Sequence, residues 1–282
     1  MNKKIKKIQI SNVIIFILFL LIVFVFLVPF VWTFLTSLKV NKEIYAGTLI
    51  IFPTRITLEH YIKVLTQMSD FILFFRNTVV VTIFSVIATV LLSAMAGYAF
   101  AKLKFWGKNV YLSFTLIILT VPYVIYLIPI YIMEDKVDLI NTFSGLILPY
   151  IATNLPLSIF IMRGQFLSVP TELMESGTID GCNFIQVWSK IMLPIIKPGI
   201  AVVTIFTFIN VWGEFTFART LTNTSDAQPL SVGITFLRDE ATSWQYGTLC
   251  ATITLTLLPL IIVFLSMQKY FIKGITEGAV KG

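Results

Sequence analysis

Long runs of apolar positions alternate along the chain with shorter polar gaps. The runs fall near residues 13–38, 72–101, 109–133, 140–162, 195–218 and 247–268, and each carries few charges. About 20 apolar residues in a helix cross a hydrocarbon core of roughly 30 Å, so the pattern predicts six transmembrane helices. One bundle over 1–282, rather than several soluble domains, is the expected organisation of this all-α membrane protein. Pro122, Pro129, Pro149, Pro156 and Pro198 punctuate the runs. Each removes a backbone donor and favours a kink that neighbouring helices or cavity water repair.

Composition agrees with the pattern, with 57% hydrophobic and 12% charged residues, against roughly 25% charged in soluble domains. A net charge of +7 would suggest a polyanion partner in a soluble protein. In a membrane chain the placement of the charges decides, and no nucleic-acid-binding module is visible. With six spans both termini share a side. The N-terminal tail, the 102–108 loop, the 163–197 stretch and the C-terminal tail hold 13 Lys and Arg and the opposite side 8, together the 21 of the chain. The short gap at 134–138, "EDKVD", is net negative. Both termini and the 163–197 stretch are therefore expected in the cytoplasm. The first run is too long for a cleaved signal peptide and lacks an A-x-A site; it reads as a retained anchor.

Cys182 and Cys250 lie in unlike surroundings and read as free thiols. His60 has no Cys or His neighbour at ligand spacing and reads as a solvated loop residue, so metal chemistry is not indicated. No G-x-x-x-x-G-K-[ST] phosphate loop occurs, so the chain is expected to bind no ATP itself. No internal repeat is visible, and no paired charges sit at mid-membrane, as an ion-coupled carrier would require.

The polar stretch "TELMESGTIDGCNFIQVWSKIMLP", residues 171–194, is the most informative gap. Thr171 is placed to cap a helix, with Glu172 and Glu175 near its first turn, where acids suit the dipole. Gly181 permits a tight turn. Phe184, Val187, Trp188 and Ile191 then follow at offsets 0, 3, 4 and 7, an amphipathic helical spacing that Pro194 closes. Spacing alone fits two readings, an amphipathic connector resting on lipid or a docking element for a cytoplasmic partner.

Within this stretch Glu175-Ser176-Gly177, three residues, Gly181, nine residues, Ile191, one residue and Leu193-Pro194 resemble the EAA loop of ATP-binding cassette importer permeases. Ser176 and Gly177 stand where the family has two alanines, which keeps the size at the expense of a looser first helix. "GYAFAKLKFWGK", "NTFSGLILPYI", "NVWGEF" and the terminal "GAVKG" are similar to the MalG-type carbohydrate permeases, and the resemblance covers nearly the whole length. Gly213 departs from it, since family members often carry Asn there.

The resemblance implies a type I importer permease fold with six transmembrane helices in the bacterial cytoplasmic membrane. It implies a transport subunit rather than an enzyme, and no cofactor in this chain. Its expected partners are an ATPase dimer that binds ATP and magnesium, a second, MalF-like permease, an extracellular solute-binding protein and a carbohydrate substrate. A glycerol phosphate or polyol is the alternative solute. Coupling to the ATPase falls to Glu172, Glu175, Ser176, Gly177, Asp180, Gly181, Ile191, Leu193 and Pro194. The outward loops near 39–70 and 219–246 become docking surfaces for the binding protein.

Glu214 is the only acid inside an expected span. It is either functional or positioned to snorkel to water. Asn210 lies one helical turn earlier and Asn154 between two prolines, and Tyr150 offers a ring for a sugar face. These four are the substrate-path candidates.

Overall fold

A computed structural model describes residues 10–68, 70–236 and 245–279. The basic residues at 3–7, Arg238 and Lys281, which enter the assignment of sides, lie outside the described residues. Every regular element among the described residues is helical: α1 (Ile10–Ser37), α2 (Asn41–Ile44), α3 (Glu59–Thr66), α4 (Phe71–Lys102), α5 (Lys108–Ile118), α6 (Leu127–Asp135), α7 (Phe143–Ser168), α8 (Glu172–Ile179), α9 (Phe184–Gln186), α10 (Leu193–Ile195), α11 (Lys197–Trp212), α12 (Thr216–Leu221), α13 (Leu230–Gly233) and α14 (Tyr246–Ala279). A 3₁₀ turn, Tyr123–Tyr126, precedes α6, and a π-helical stretch, Val187–Met192, joins α9 to α10.

Four helices are each long and apolar enough to cross a membrane: α1 from Ile14, α4, α7, and α14 as far as Tyr270. Two bent pairs raise the count to six. The run expected at 109–133 is one of them, broken by a 95° bend between Lys108–Ile118 and Tyr123–Asp135. Pro122 has no N–H to continue the helix and disfavours the helical conformation of the residue before it. The other bend, 78°, separates Phe184–Ile195 from Lys197–Trp212. The run expected at 195–218 stops at Trp212, so Glu214 lies beyond the helix rather than inside it. Helix α14 continues to Ala279, and 280–282 lie outside the described residues.

The chain divides into two compact units. In the first, comprising the described residues up to Met68 and those from 245 to Leu255, α1 is exposed and apolar around its circumference from Ile14 to Val31. Such a helix suits a lipid or protein surround within a bilayer. Beyond it, Ser37 Oγ and Tyr61 Oη lie 2.6 Å apart, and the buried Lys39 donates from Nζ to the Ile50 carbonyl at 2.6 Å. His60 is buried rather than solvated. Its Nε2 donates to the Lys39 carbonyl at 2.9 Å, and its Nδ1 is 3.4 Å from Thr248 Oγ1. Gly247 makes the room, since a Cβ there would lie 2.2 Å from His60 Nε2.

The second unit, Asp70–Phe236 with the chain from Thr256, is built on α4 and α7, against both of which α11 packs. A Cβ on Gly97 of α4 would lie 2.6 Å from Met162 Cβ and 2.9 Å from Arg163 N, so the helix backbones approach as only glycine allows. Thr78, Thr82, Ser85, Thr89 and Ser93 form a buried line of small side chains on α4, the kind of face that lets membrane helices pack closely.

The segment after α12, part of the loop expected to face outward as a docking surface, folds back onto α4. Asn77 Nδ2 donates to the carbonyls of Ser225 and Gln228, both at 3.0 Å, and Thr78 Oγ1 accepts from Leu230 N at 2.8 Å. Gly233 lies against the Phe74 ring. The part of that loop at 237–244 lies outside the described residues.

Candidate functional site

Two groups of side chains in the second unit match the positions that the sequence singles out. The first is the stretch 171–194. Thr171 has helical backbone angles and its side chain caps nothing. A capping hydroxyl needs an extended backbone; here the Thr171 carbonyl receives Met174 N at 2.9 Å and Glu175 N at 3.1 Å. Helix α8 then runs unbroken through Ser176 and Gly177 to Ile179. It ends in a Schellman turn: Cys182 N donates to Gly177 O at 3.0 Å, Gly181 N donates to Thr178 O at 3.1 Å, and Gly181 has φ +85°. This pair of bonds requires a left-handed residue after the cap, a conformation glycine adopts without cost.

The chain restarts at Asn183. Its Oδ1 accepts from Gln186 N, and Gln186 Oε1 accepts from Asn183 N, both at 2.9 Å. This reciprocal capping box was not among the sequence expectations, although the N-x-x-Q spacing carries it. The π stretch that follows changes which residues face inward. Val187 and Met192 are buried, five apart, whereas the α-helical spacing assigned that role to Ile191. Ile191 turns toward α8, where a Cβ on Gly177 would lie 2.4 Å from its Cδ1. The small residue at 177 thus creates a tight contact rather than a loose helix. Pro194 falls one residue before the end of α10, and the bend follows at Ile196.

The underside of this stretch is held by the bundle. Tyr98 stacks edge-on against Phe166 (centroids 5.3 Å apart) and tilts against Phe184 (5.5 Å), and its hydroxyl donates to Met174 Sδ at 3.1 Å. Lys102 Nζ donates to the Val169 carbonyl at 2.5 Å. Away from these contacts Glu172, Glu175 and Asp180 are exposed, as are Leu173, Ile179 and Ile185. Ile179 is 86% exposed.

The second group lines a cleft of about 520 Å³, to which Tyr150, Asn154, Asn210 and Glu214 all contribute, along with Tyr123 and Thr153. Glu214 is tied down. Its Oε1 accepts from Phe217 N at 2.9 Å, and its Oε2 accepts from Ala218 N at 3.1 Å and from the Tyr150 hydroxyl at 2.8 Å. The acid thus caps α12 across the break after Trp212, and it neither snorkels nor sits in mid-helix. Asn210 Nδ2 donates to Asn154 Oδ1 at 3.0 Å, and Asn154 Nδ2 donates to the Tyr150 carbonyl at 2.8 Å. Gly213 borders the cleft with open space where a side chain would project.

Residues 89–277 match the family described as binding-protein-dependent transport system inner membrane component. The chain belongs to this family. It is a multi-pass inner-membrane permease subunit. The permease is 34% identical to the arabinooligosaccharides transport system permease protein AraQ of Halalkalibacterium halodurans, over 94% of each chain. It is 29% identical to the trehalose/maltose transport system permease protein MalG of Thermococcus litoralis, over 93% of this chain and 94% of that one. Its fold is similar to that of a chain in a bacterial ABC transporter involved in the import of the acidic polysaccharide alginate, with a TM-score of 0.79 at 24% identity over 94% of this chain and 99% of the other. The permease therefore has the all-helical fold of an ABC importer subunit. Glu172 to Pro194 share one stretch of the permease, and its four substrate-path candidates share one cleft.

Proposed function

We propose that this permease moves a carbohydrate inward as one of two membrane subunits, coupled to an ATPase through residues 171–194. What carries the solute reading is the chemistry of the cleft. Among the described residues it is lined by amides, hydroxyls, aromatic rings and one carboxylate that is already bonded, and by no Lys or Arg. Such a lining suits a neutral, hydroxyl-rich solute, whose ring faces stack on Tyr and Phe and whose hydroxyls exchange bonds with Asn154 and Asn210. A glycerol phosphate would leave its anion without a cation there. The names of the sugar-transporting relatives point the same way.

In the proposed orientation the termini, the 102–108 loop and the stretch 171–194 face the cytoplasm. The exposed Ile179 and Ile185, beside Glu172, Glu175 and Asp180, meet a cleft in the ATPase. ATPase closure on nucleotide then pushes α8 and the chain after it. Tyr98 and Lys102 pass the movement to α4, and Phe166 and Val169 to the end of α7 and the link after it. This is a hinge-type switch biased by a bound partner. A two-fold ATPase has two clefts and this chain offers one such stretch, so a second permease subunit completes the machine. The family's dependence on a binding protein supplies the external partner that delivers the sugar.

The test is affinity purification of the tagged permease from native membranes in mild detergent, with mass spectrometry and uptake assays on the recovered complex. Recovery of an ATP-binding subunit, a second permease and an exported binding protein that takes up a sugar is the expected result. A chain that is isolated alone and still transports would overturn the coupling reading, and a complex that takes up only phosphorylated or non-carbohydrate solutes would overturn the carbohydrate reading.

A further inference from the structure

One wall of the cleft is a short helix. Phe215, Thr216 and Phe217, at the start of α12, line it, and the Phe217 ring packs on Tyr123 (centroids 5.8 Å apart) and Tyr150 (6.5 Å). A helix of six residues is too short to persist on its own hydrogen bonds, so groups outside it must fix its ends. Glu214, bonded to Tyr150, does so at the N-terminal end. The other end is held by Asn141, which lies in the turn between α6 and α7.

Three hydrogen bonds join Asn141 to the end of α12 and the residues after it. Its backbone N–H donates to the Leu221 carbonyl at 2.9 Å, one of the last acceptors that a helix leaves unused. Its Oδ1 accepts from the Asn223 N–H and, at 3.0 Å, from the Thr224 N–H. Asn141 has φ +63°, a conformation in which Asn is several-fold enriched, so one residue supplies both the left-handed backbone and the acceptor. The turn that carries it is fixed to α7. Thr142 Oγ1 accepts from Gly145 N at 3.1 Å and caps that helix, and a Cβ on Gly145 would lie 2.3 Å from the Leu139 carbonyl. Further along, Asn77 of α4 holds the carbonyls of Ser225 and Gln228. The segment leaving α12 is therefore tied to the leading turn of α7 on one side and to α4 on the other.

We infer that Asn141 is a positioning residue for solute transfer: by fixing the C-terminal end of α12 it holds Phe215, Thr216 and Phe217 in place along the cleft. It acts through α12 and lines no part of the cleft itself. The inference rests on the reading of this cleft as the solute path. Without the Oδ1 acceptor, α12 keeps its side-chain anchor at Glu214 and frays at the other end. The Phe217 ring then loses its fixed distance from Tyr123 and Tyr150, and an entering sugar must order that wall before it can stack there. Ordering is a cost set against binding, so cycles of the ATPase pass without a sugar moved. A typical hydrogen bond contributes a factor of roughly 2–12 to the population of the arrangement that it holds, and two are lost here.

The test uses the importer purified from native membranes with the tagged permease and reconstituted in lipid. Two readouts are taken at matched membrane levels: sugar moved per ATP hydrolysed, and amide exchange over residues 216–224. Asn141→Gly keeps the left-handed backbone and the bond to Leu221 but removes the acceptor, whereas Asn141→Asp keeps an oxygen in its place. In Asn141→Gly, exchange over this segment should rise at least fivefold and sugar per ATP should fall at least threefold, with ATP hydrolysis within about twofold of wild type. Asn141→Asp should restore both readouts. Asn141→Gly combined with Glu214→Ala should lose less than the product of the two single losses, because both residues hold the same helix. Three results would overturn the inference: wild-type exchange and stoichiometry in Asn141→Gly, an Asn141→Asp as impaired as Asn141→Gly, or a parallel fall of uptake and hydrolysis with the ratio unchanged, which would leave Asn141 a role in folding only. A wild-type complex that moves no carbohydrate removes the transport reading, while normal wild-type uptake with an unaffected Asn141→Gly removes only the positioning role.

Discussion

Replacing Gly181 separates two ways in which the stretch 171–194 could fail. The residue has φ +85° and closes the Schellman turn between α8 and α9, and a Cβ added there would meet nothing within 4 Å. A substitution therefore adds backbone strain without a clash inside the chain. An L residue in the left-handed region costs roughly 1–2 kcal/mol, and a β-branched residue is a clearer outlier than Asn, which adopts this conformation several-fold more often than most. Gly181→Asn should retain near-normal coupling, Gly181→Ala should cost about 1 kcal/mol, and Gly181→Val about 2 kcal/mol. Each 1.4 kcal/mol is about tenfold in the population of the native turn. The assay is sugar uptake per ATP hydrolysed at matched membrane levels, with membrane insertion expected to be unchanged. Asn and Val differ little in bulk. If both abolish coupling equally, contact with the partner rather than the turn is the cause, and if Val behaves as wild type, the turn does not matter.

Three further outcomes follow from the packing. Gly97→Val should destabilise the α4 and α7 contact by roughly 1–3 kcal/mol, because its nearest neighbours are Met162 Cβ and the Arg163 backbone; a lowered thermal unfolding midpoint in detergent checks this. Glu214→Ala removes the acceptor for two backbone donors of α12 and should cost about 0.5–2 kcal/mol, with a loss of uptake. Tyr150→Phe leaves both backbone bonds in place and should cost less, so the reverse order in thermal unfolding would refute the capping role. Gly247→Ala should collide with His60, and adding His60→Ala should relieve it, so that the double variant costs less than the sum of the singles in a double-mutant cycle.

What could be read from the sequence followed from rules local to a few residues. Gly181 was legible because a tight turn between two amphipathic pieces favours glycine, and the structure supplies the positive φ. Val187 was legible by helical period, but Met192 was not, since a π stretch shifts the inward face by one position and leaves no mark in an α-helical count. Glu214 was expected within a span because hydropathy averages over the break after Trp212. The Gly-Glu pair that ends one helix and caps the next is visible only when caps are sought inside apolar runs. The burial of His60 was not legible, because it depends on Gly247, nearly two hundred positions away, leaving room for an imidazole. The cleft joins Tyr150 to Glu214 through a long-range contact that no period encodes.

The π stretch has a consequence for anyone exchanging segments between permeases. The nine residues between Gly181 and Ile191 are wound partly with five residues between bonded groups rather than four, so the motif's spacing and its handed register are not interchangeable. Tightening Val187–Met192 to an α-helix with no residue removed would rotate everything downstream by about 100°. That would swing Leu193 and Pro194 away from their present neighbours while every motif letter remained in the sequence. A chimera cut inside this stretch can therefore look correct on paper and still be out of phase, and a graft that keeps residues 183–196 as one block avoids the slip.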